Sequence, residues 1–315
     1  MGPRIVALCG LLASCLAAAQ EKIMDYAPFQ TSQLRCVIGN NAAMGEHTAG
    51  YNGVFALRWG DAGENAFVPA YAGLNLEHYF DARPRNPDAA IFFEPRRAPM
   101  SFTRLSETAA ELHQPPTPHY GVESWTRFEL REPYYVDMTF RCVPTKAAFE
   151  GGFMGIFWAS YINAPLDKSV YFLKAGSTLD APRWAQYCTQ VHGRDSTVCH
   201  ASAPAVDVGA SRDDGSLFTS ISPLRYSEPF FYGRFRDMAL IYIFEPDPRI
   251  RFSHSPSGGG PTPAKDGANP AWDFQFVVPN YEVGKEYGLR MRLVCKPWAG
   301  RADVLVEVKR FLGRS

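Results

Sequence analysis

The stretch Tyr134-Tyr135-Val136-Asp137-Met138-Thr139-Phe140-Arg141-Cys142 decides the fold class of this chain. It is rich in β-branched and aromatic residues, which favour extended backbone. Residues 154–162 and 169–173 have the same character, and such segments end at Pro, Gly, Asn or Asp. Four more segments resemble them, at residues 239–244, 273–278, 287–294 and 304–308. These patterns predict strands, whereas the best helix candidate is about one turn at residues 182–187.

Most of these segments recur every ten to twenty residues or so, as they do in a sandwich or barrel. The 26 Gly and 25 Pro are scattered between them, which indicates many loops. The stretches 81–87 and 253–270 look like long loops within one domain. We therefore predict an all-β fold, a large β-sandwich with long loops and very little helix. Residues 20–34 would form an N-terminal segment and residues 35–315 a single β-sandwich domain.

Charge is balanced, with 32 Lys and Arg against 32 Asp and Glu among 315 residues. A net charge of zero without a long basic run argues against a nucleic-acid partner held by bulk electrostatics. Hydrophobic residues make up 46% of the chain, which fits a folded globular protein. Beyond the N-terminus, no apolar window approaches the length of a transmembrane span.

The first nineteen residues have the pattern of a signal peptide. Residues 1–4 carry a positive charge at Arg4, and they are followed by an apolar stretch at 5–16 and the small residues 17–19. We therefore expect export to the periplasm or the extracellular space. Leu12-Ala13-Ser14-Cys15 also resembles a bacterial lipobox, in which case Cys15 would carry a lipid anchor.

Export permits disulfides, and Cys188 and Cys199 flank a polar, loop-like stretch. We predict that these two residues form a disulfide. Cys142 and Cys295 lie in apolar alternation and are predicted to be buried thiols. His192 and His200 have no fixed ligand spacing and the chain has no CxxC pair, so neither a metal site nor a cofactor is predicted.

Candidate site residues occur first in residues 67–80. Simple alternation would place Asn75, Glu77 and Tyr79 on one face of a strand. Leu74, Leu76 and His78 would then lie on the opposite face. Asn75 and Glu77 are candidate ligand-binding residues and His78 is a candidate catalytic residue. The alternative is that His78 is a hydrogen-bonded core residue and Glu77 is exposed.

A proline-rich loop at residues 113–118 precedes a second group of candidates. His119, Glu123, Trp125 and Arg127 follow it, and odd-numbered residues share one face of the coming strand. A histidine that titrates near neutrality and a desolvated glutamate can together move protons. His119 and Glu123 are therefore candidate catalytic residues, and Trp125 and Arg127 are candidate binding residues. The alternative is a turn in which they only make hydrogen bonds.

Two further groups combine aromatic and polar residues. Trp158 and Tyr161 lie on opposite faces of one predicted strand, and one face could form a platform for a sugar ring. His254 stands before a glycine-rich stretch, and Trp272 and Asp273 stand where the next strand begins. All five are candidate binding residues, although core aromatics and an inert loop would give the same pattern.

The stretches Tyr71-Ala72-Gly73-Leu74-Asn75-Leu76-Glu77-His78 and Phe157-Trp158-Ala159-Ser160-Tyr161-Ile162 resemble secreted bacterial proteins of the galactose-mutarotase-like type. The resemblance implies a β-supersandwich; a concanavalin-like jelly roll is the alternative. Proteins of that fold include sugar epimerases, glycoside hydrolases, polysaccharide lyase domains and non-catalytic members. In the epimerases a histidine is the general acid and a glutamate the base, which His119 or His78 and Glu123 or Glu77 could match.

The sequence thus predicts a secreted carbohydrate-active protein that uses a His/Glu acid–base set in a loop-lined cleft. Its partner would be a sugar or polysaccharide. A uronate-specific lyase would also need a neutralising arginine, for which Arg127 and Arg97 are available. A non-catalytic glycan-binding protein and a structural cell-envelope protein are the two alternatives.

Overall fold

Strands dominate the chain, as the alternating stretches predict. The computed structural model describes Gly2 and residues 24–209, 216–262 and 265–314. Its strands are β1 (Tyr26–Gln30), β2 (Leu34–Gly39), β3 (Gly53–Trp59), β4 (Asn75–Phe80), β5 (Ser101–Arg104), β6 (Ala109–Gln114), β7 (Val122–Arg131), β8 (Tyr135–Pro144), β9 (Phe153–Ala159), β10 (Val170–Leu173), β11 (Trp184–Tyr187), β12 (Thr197–His200), β13 (Ile221–Tyr226), β14 (Phe230–Phe235), β15 (Met238–Phe244), β16 (Ile250–Ser255), β17 (Pro261–Thr262), β18 (Lys265–Ala268), β19 (Ala271–Pro279) and β20 (Tyr287–Pro297). The helices are α1 (Ala89–Phe92), α2 (Glu94–Arg97) and α3 (Arg301–Leu312). The all-β prediction is confirmed.

Two large sheets make the sandwich. The first has nine strands in the order β11-β10-β14-β15-β20-β8-β7-β6-β5, and the second has six in the order β13-β12-β16-β19-β9-β4. A three-stranded sheet, β1-β2-β3, and the hairpin β17-β18 complete the described strands. Neighbouring strands are antiparallel except for β12 and β13, which are parallel.

The main core lies between the two large sheets. Trp158 of β9 stacks on Phe274 of β19 with ring centroids 5.0 Å apart. Phe140 of β8, in the nine-stranded sheet, meets Trp158 edge-to-face at 4.8 Å. The inner faces of the two sheets therefore interlock through aromatic side chains, and the opposite face of the six-stranded sheet is available to build a site.

The segment 304–308 is helical, so the strand predicted there is wrong. It lies in α3, and Val304 and Val308 are fully buried against the outer face of the nine-stranded sheet. These two valines are four residues apart and therefore share one side of a helix. Gly313 ends the helix in the left-handed conformation, with φ of 64°. An apolar segment this short fits both the spacing of a helix face and that of a buried strand, so its sequence does not distinguish the two.

Two other predictions about local structure need correction. Residues 184–187 form a strand, β11, because they pair with β10 and bury Ala185 and Tyr187. The segment 253–270 is not one long loop, because it begins inside β16 and contains the hairpin β17-β18. The glycine-rich part, residues 257–260, connects β16 to that hairpin.

The predicted disulfide between Cys188 and Cys199 is wrong. Cys188 follows β11 at the edge of the nine-stranded sheet, whereas Cys199 lies within β12 of the six-stranded sheet. All five cysteines of the described residues are free thiols. Cys142 and Cys295 are buried, as predicted. The polar stretch between Cys188 and Cys199 links two sheets and does not form a closed loop.

The N-terminal predictions fall mostly outside the described residues. The predicted signal peptide, apart from Gly2, and the candidate lipid-anchor residue Cys15 are not described. Across the parts of the chain that the structure describes, we find no helix with the length and apolar character needed to cross a membrane. Export and the predicted domain boundaries stay predictions.

Candidate functional site

A cavity of about 220 Å³ lies on the outer face of the six-stranded sheet. Strands β4, β9 and β19 form its floor, and residues of α1 and α2 and of segment 216–218 line it from the other side. Aromatic rings and ionisable groups face each other across this space. Its polar residues include Glu77, His78, Arg96, Tyr161 and Asp273.

A β-bulge in β4 brings two of these polar residues to the same side of the strand. Leu76 pairs with Trp158 and His78 with Phe157, so Glu77 has no partner across in β9. Leu76 therefore stays in the core, while Glu77 and His78 both line the cavity. The predicted simple alternation is wrong after Leu76, because the extra residue changes the side on which the next residues lie.

Glu77 is the centre of a buried ion pair. Its Oε1 atom accepts hydrogen bonds from Arg96 Nη1 at 2.8 Å and from the Tyr161 hydroxyl at 2.6 Å. Glu77 is only 4% exposed and Arg96 only 9%. Charged groups withdrawn from water in this way need good partners, and this geometry supplies them.

The Arg96 guanidinium is held from three sides. Its Nε donates to the Gly50 carbonyl at 2.8 Å, and its guanidinium carbon lies 3.7 Å from the centre of the Tyr51 ring. Phe93 covers it at 4.6 Å. Pro95 stands at the start of α2, a position that tolerates proline. The short helix thus presents Arg96 to the bulge in a fixed orientation.

Asp273 is the second carboxyl group in the cavity. It lies on β19 and is 1% exposed, and its Oδ1 accepts a hydrogen bond from the Ser160 backbone N–H at 3.0 Å. Its Oδ2 has no hydrogen-bond partner among the described residues. Burial, with a smaller effect from Glu77, holds the pKa of Asp273 well above its usual range. Burial therefore favours the protonated, neutral form of the Asp273 carboxyl group.

The His78 ring has a defined tautomer. Its Nδ1 lies 2.7 Å from the Phe92 carbonyl oxygen, which can only accept, so Nδ1 carries the proton. The Nε2 atom lies 4.0 Å from Glu77 Oε2. Burial lowers the pKa of His78 to about 4. Near pH 7 the ring is thus neutral, and Nε2 is an acceptor rather than an acid.

Acidification is expected to destabilise the fold through His78. The unfolded chain binds this proton below about pH 6.5 and the folded chain only below about 4, so stability falls as the pH drops between these values. The loss amounts to roughly 3 kcal/mol at 1.36 kcal/mol per pKa unit. Urea unfolding across this range measures it. The His78→Gln variant should lose less stability than the wild type over this interval, and equal pH slopes would contradict the assignment.

Aromatic side chains form the apolar part of the cavity wall. Phe92 and Phe93 stand beside the His78 ring, with centroids 4.3 and 4.8 Å away. Phe157 and Phe218 contact the same histidine at 5.5 and 5.4 Å. The cavity therefore has apolar ring surface next to two carboxyl groups, a combination typical of ligand pockets.

Four residues predicted as site residues meet in this cavity: Glu77, His78, Tyr161 and Asp273. The sequence placed them in separate groups, and the sandwich brings them together from β4, from β19 and from the residues that directly follow β9. Arg96 and Tyr51 were missed. The only signal for Arg96 was its place in an aromatic and charged run, Phe92-Phe93-Glu94-Pro95-Arg96-Arg97, in which its neighbour Arg97 is exposed.

The second predicted group does not join them. Glu123, Trp125 and Arg127 share a face of β7 as predicted, but this is the outward face of the nine-stranded sheet. There Glu123 pairs with His113 at 2.8 Å, and Trp125 stacks on the same histidine at 5.0 Å. Arg127 pairs with Glu129. His119 is separate from these three and lines a smaller neighbouring cavity.

The other predicted binding residues are parts of the protein interior. Trp158 and Trp272 are fully buried in the main core, and Trp272 Nε1 donates to the Lys168 carbonyl at 2.8 Å. His254 lies within β16 and bonds the same carbonyl through Nε2 at 2.9 Å. Asn75 is buried and accepts from the Asn52 backbone N–H. For Trp158, the alternative of a core aromatic describes its surroundings, and the other three residues are also held by contacts within the protein interior.

The two histidines considered for metal binding lie apart. His192 lines the main cavity and contacts Ser255 Oγ at 2.8 Å, whereas His200 contacts the Ser227 carbonyl at 3.2 Å. Within the described ranges, no three His, Cys, Asp or Glu side chains are grouped closely enough to hold a metal ion.

Comparison with known proteins gives similarity of structure only. No family model matches the chain, and no curated protein matches it significantly. A putative aldose 1-epimerase from Escherichia coli K12 is 11% identical, with a TM-score of 0.46 over 87% of this chain and 100% of that one. A galactose mutarotase-like protein from Lactobacillus casei is 8% identical, with a TM-score of 0.44 over 86% and 99%. A heparan sulfate lyase from Pedobacter heparinus is 11% identical, with a TM-score of 0.44 over 85% and 34%.

Proposed function

We propose that this chain is a carbohydrate-active enzyme whose acid and base are Asp273 and Glu77. The observation that carries the proposal is the pair of unlike carboxyl groups in one cavity. Glu77 forms a buried ion pair with Arg96, while burial raises the pKa of Asp273 and favours its protonated form. Two carboxyl groups whose surroundings favour opposite protonation states can act as general base and general acid.

Sugars fit the wall of this cavity because they combine apolar C–H faces with many hydroxyl groups. The rings of Phe92, Phe93 and Phe157 can cover a C–H face. Glu77 and His78 Nε2 can accept hydrogen bonds from hydroxyls, and Asp273 can donate one through Oδ2. The predicted His/Glu set is thereby revised, since a neutral His78 can orient a hydroxyl but cannot supply the proton.

The proposed chemistry moves one proton at each carboxyl group. Glu77 takes a proton from a sugar hydroxyl, from a water molecule or, in an elimination, from the ring carbon next to a uronate carboxyl group. Asp273 gives its proton to the ring or bridging oxygen whose bond breaks. Tyr161 and Arg96 hold the Glu77 carboxylate in place through hydrogen bonds to Oε1. The predicted signal peptide leads us to propose that this reaction takes place outside the cytoplasm.

The test is incubation of the purified protein with neutral and uronate-containing saccharides. Mass spectrometry would detect fragments that gain water, ultraviolet absorbance would detect a new double bond, and proton NMR would detect exchange of sugar stereoisomers. A product in any of these measurements supports the proposal. Binding without product would replace it with a glycan-binding role, and the absence of both binding and product would contradict a carbohydrate function.

A further inference from the structure

A second cavity of about 120 Å³ adjoins the proposed site. It lies at the end of β4 and under the loop that follows, where its lining includes Asp81, Arg83, His119 and Tyr120. Glu77 of the first cavity lies on β4, and Asp81 of the second cavity directly follows that strand. The two residues are four positions apart, on the order of 13 Å in an extended chain. The two cavities thus follow one another along the strand.

Three side chains line both cavities: Arg85, Phe92 and Phe218. The Arg85 guanidinium lies 4.2 Å from the centre of the Phe92 ring, and Phe218 stacks on Phe80 at 4.3 Å. A ligand that filled both cavities would contact these three shared side chains where it passes from one cavity to the other. The boundary between the cavities is therefore ring surface and one cation, and a chain of sugar rings could pack along it.

Away from Arg85 at the boundary between the cavities, the second cavity carries polar groups suited to hydroxyls and has little excess charge. Arg83 is neutralised by Asp81 at 2.8 Å and by Glu150 at 3.2 Å. Burial raises the pKa of Tyr120 to about 12, which keeps its hydroxyl protonated. Such a lining favours a neutral, hydrogen-bonding unit over a strongly charged one.

We infer that the substrate is an oligosaccharide or polysaccharide that occupies both cavities. The unit that reacts lies against Glu77 and Asp273, and the next unit lies in the second cavity beside His119. This inference rests on the proposed function, and it adds that a single sugar leaves the second cavity empty. It also gives His119 a role in binding, in place of the catalytic role predicted from the sequence.

The test is calorimetric titration with homologous saccharides of one to four units, based on glucose, galactose, mannose and galacturonate. We expect affinity to rise about tenfold or more from one unit to two, which is 1.4 kcal/mol for each factor of ten. In His119→Trp the larger ring fills the second cavity, so the ratio of two-unit to one-unit affinity should fall towards one. His119→Ala should lower the ratio less, and circular dichroism verifies that both variants fold.

The matched control is His113→Trp, at a histidine on the outward face of the nine-stranded sheet, which should keep the wild-type ratio. Equal affinity for one and two units, or a preference that persists in His119→Trp, overturns the inference and leaves the proposed function intact. Failure of every saccharide to bind overturns both.

Discussion

Asp273→Asn is expected to lower turnover of the saccharide substrate by about 10²–10⁴-fold, the usual contribution of a general acid. The amide has almost the same shape as the acid but has no proton to give to an oxygen. Because burial favours the neutral form of Asp273, the substitution is expected to remove no charge from the interior. The free energy of unfolding should therefore change little, and a loss of activity without a loss of stability identifies a chemical role.

The measurement combines steady-state kinetics with urea unfolding of the same preparation. Asp61→Asn is the control, because this aspartate forms an exposed ion pair with Arg35 and neither residue lines the cavity. It should retain wild-type turnover. If Asp273→Asn kept its activity, Asp273 would not be the acid. If it unfolded much more easily, the carboxyl group would be charged in the folded protein, which contradicts the assigned protonation state.

Glu77→Gln is expected to impair both activity and stability. Turnover should fall by about 10²–10⁴-fold because the amide cannot accept the proton as the carboxylate does. The free energy of unfolding should fall by about 3–5 kcal/mol, the usual result of leaving one member of a buried ion pair without its partner. The group left behind is Arg96, which is buried beneath Tyr51 and Phe93.

A double variant separates these two effects. In Glu77→Gln with Arg96→Met, no uncompensated charge remains in the interior, so much of the lost stability should return while activity stays low. As a control, Glu64→Gln removes one partner of the exposed pair with Arg236 and should cost no more than about 1 kcal/mol. Recovery of turnover in the double variant would show that Glu77 supports the fold and is not the base.

Several of the long strands, among them β8, β9, β15, β19 and β20, could be predicted because local sequence determines them. Apolar and polar side chains alternate along residues 134–142, as expected for a strand with one face in the core, and these residues form most of β8. Segment 304–308 was mistaken for a strand because a short apolar run has no clear period. Only its packing against the nine-stranded sheet shows that Val304 and Val308 share one side of a helix.

The site was predictable in its residue types and not in its assembly. Glu77, Tyr161 and Asp273 are far apart in sequence, and strand order decides which residues lie near them. The sequence around Trp158 and Trp272 was compatible with a sugar-binding platform as well as with a core position, and the structure places both side chains in the core. Arg96 could not be recognised beside Arg97, because nothing local shows which of two neighbouring arginines a short helix turns inward.

The bulge in β4 has an evolutionary consequence. Glu77 is not paired with any residue of β9. A chain that lacked this one residue could therefore keep Leu76 opposite Trp158 and His78 opposite Phe157. The strand pairing would survive, and the carboxylate proposed as the base would be gone. A single in-frame insertion or deletion thus separates a scaffold with this carboxylate from one without it, and a lineage could gain or lose it in one mutational event.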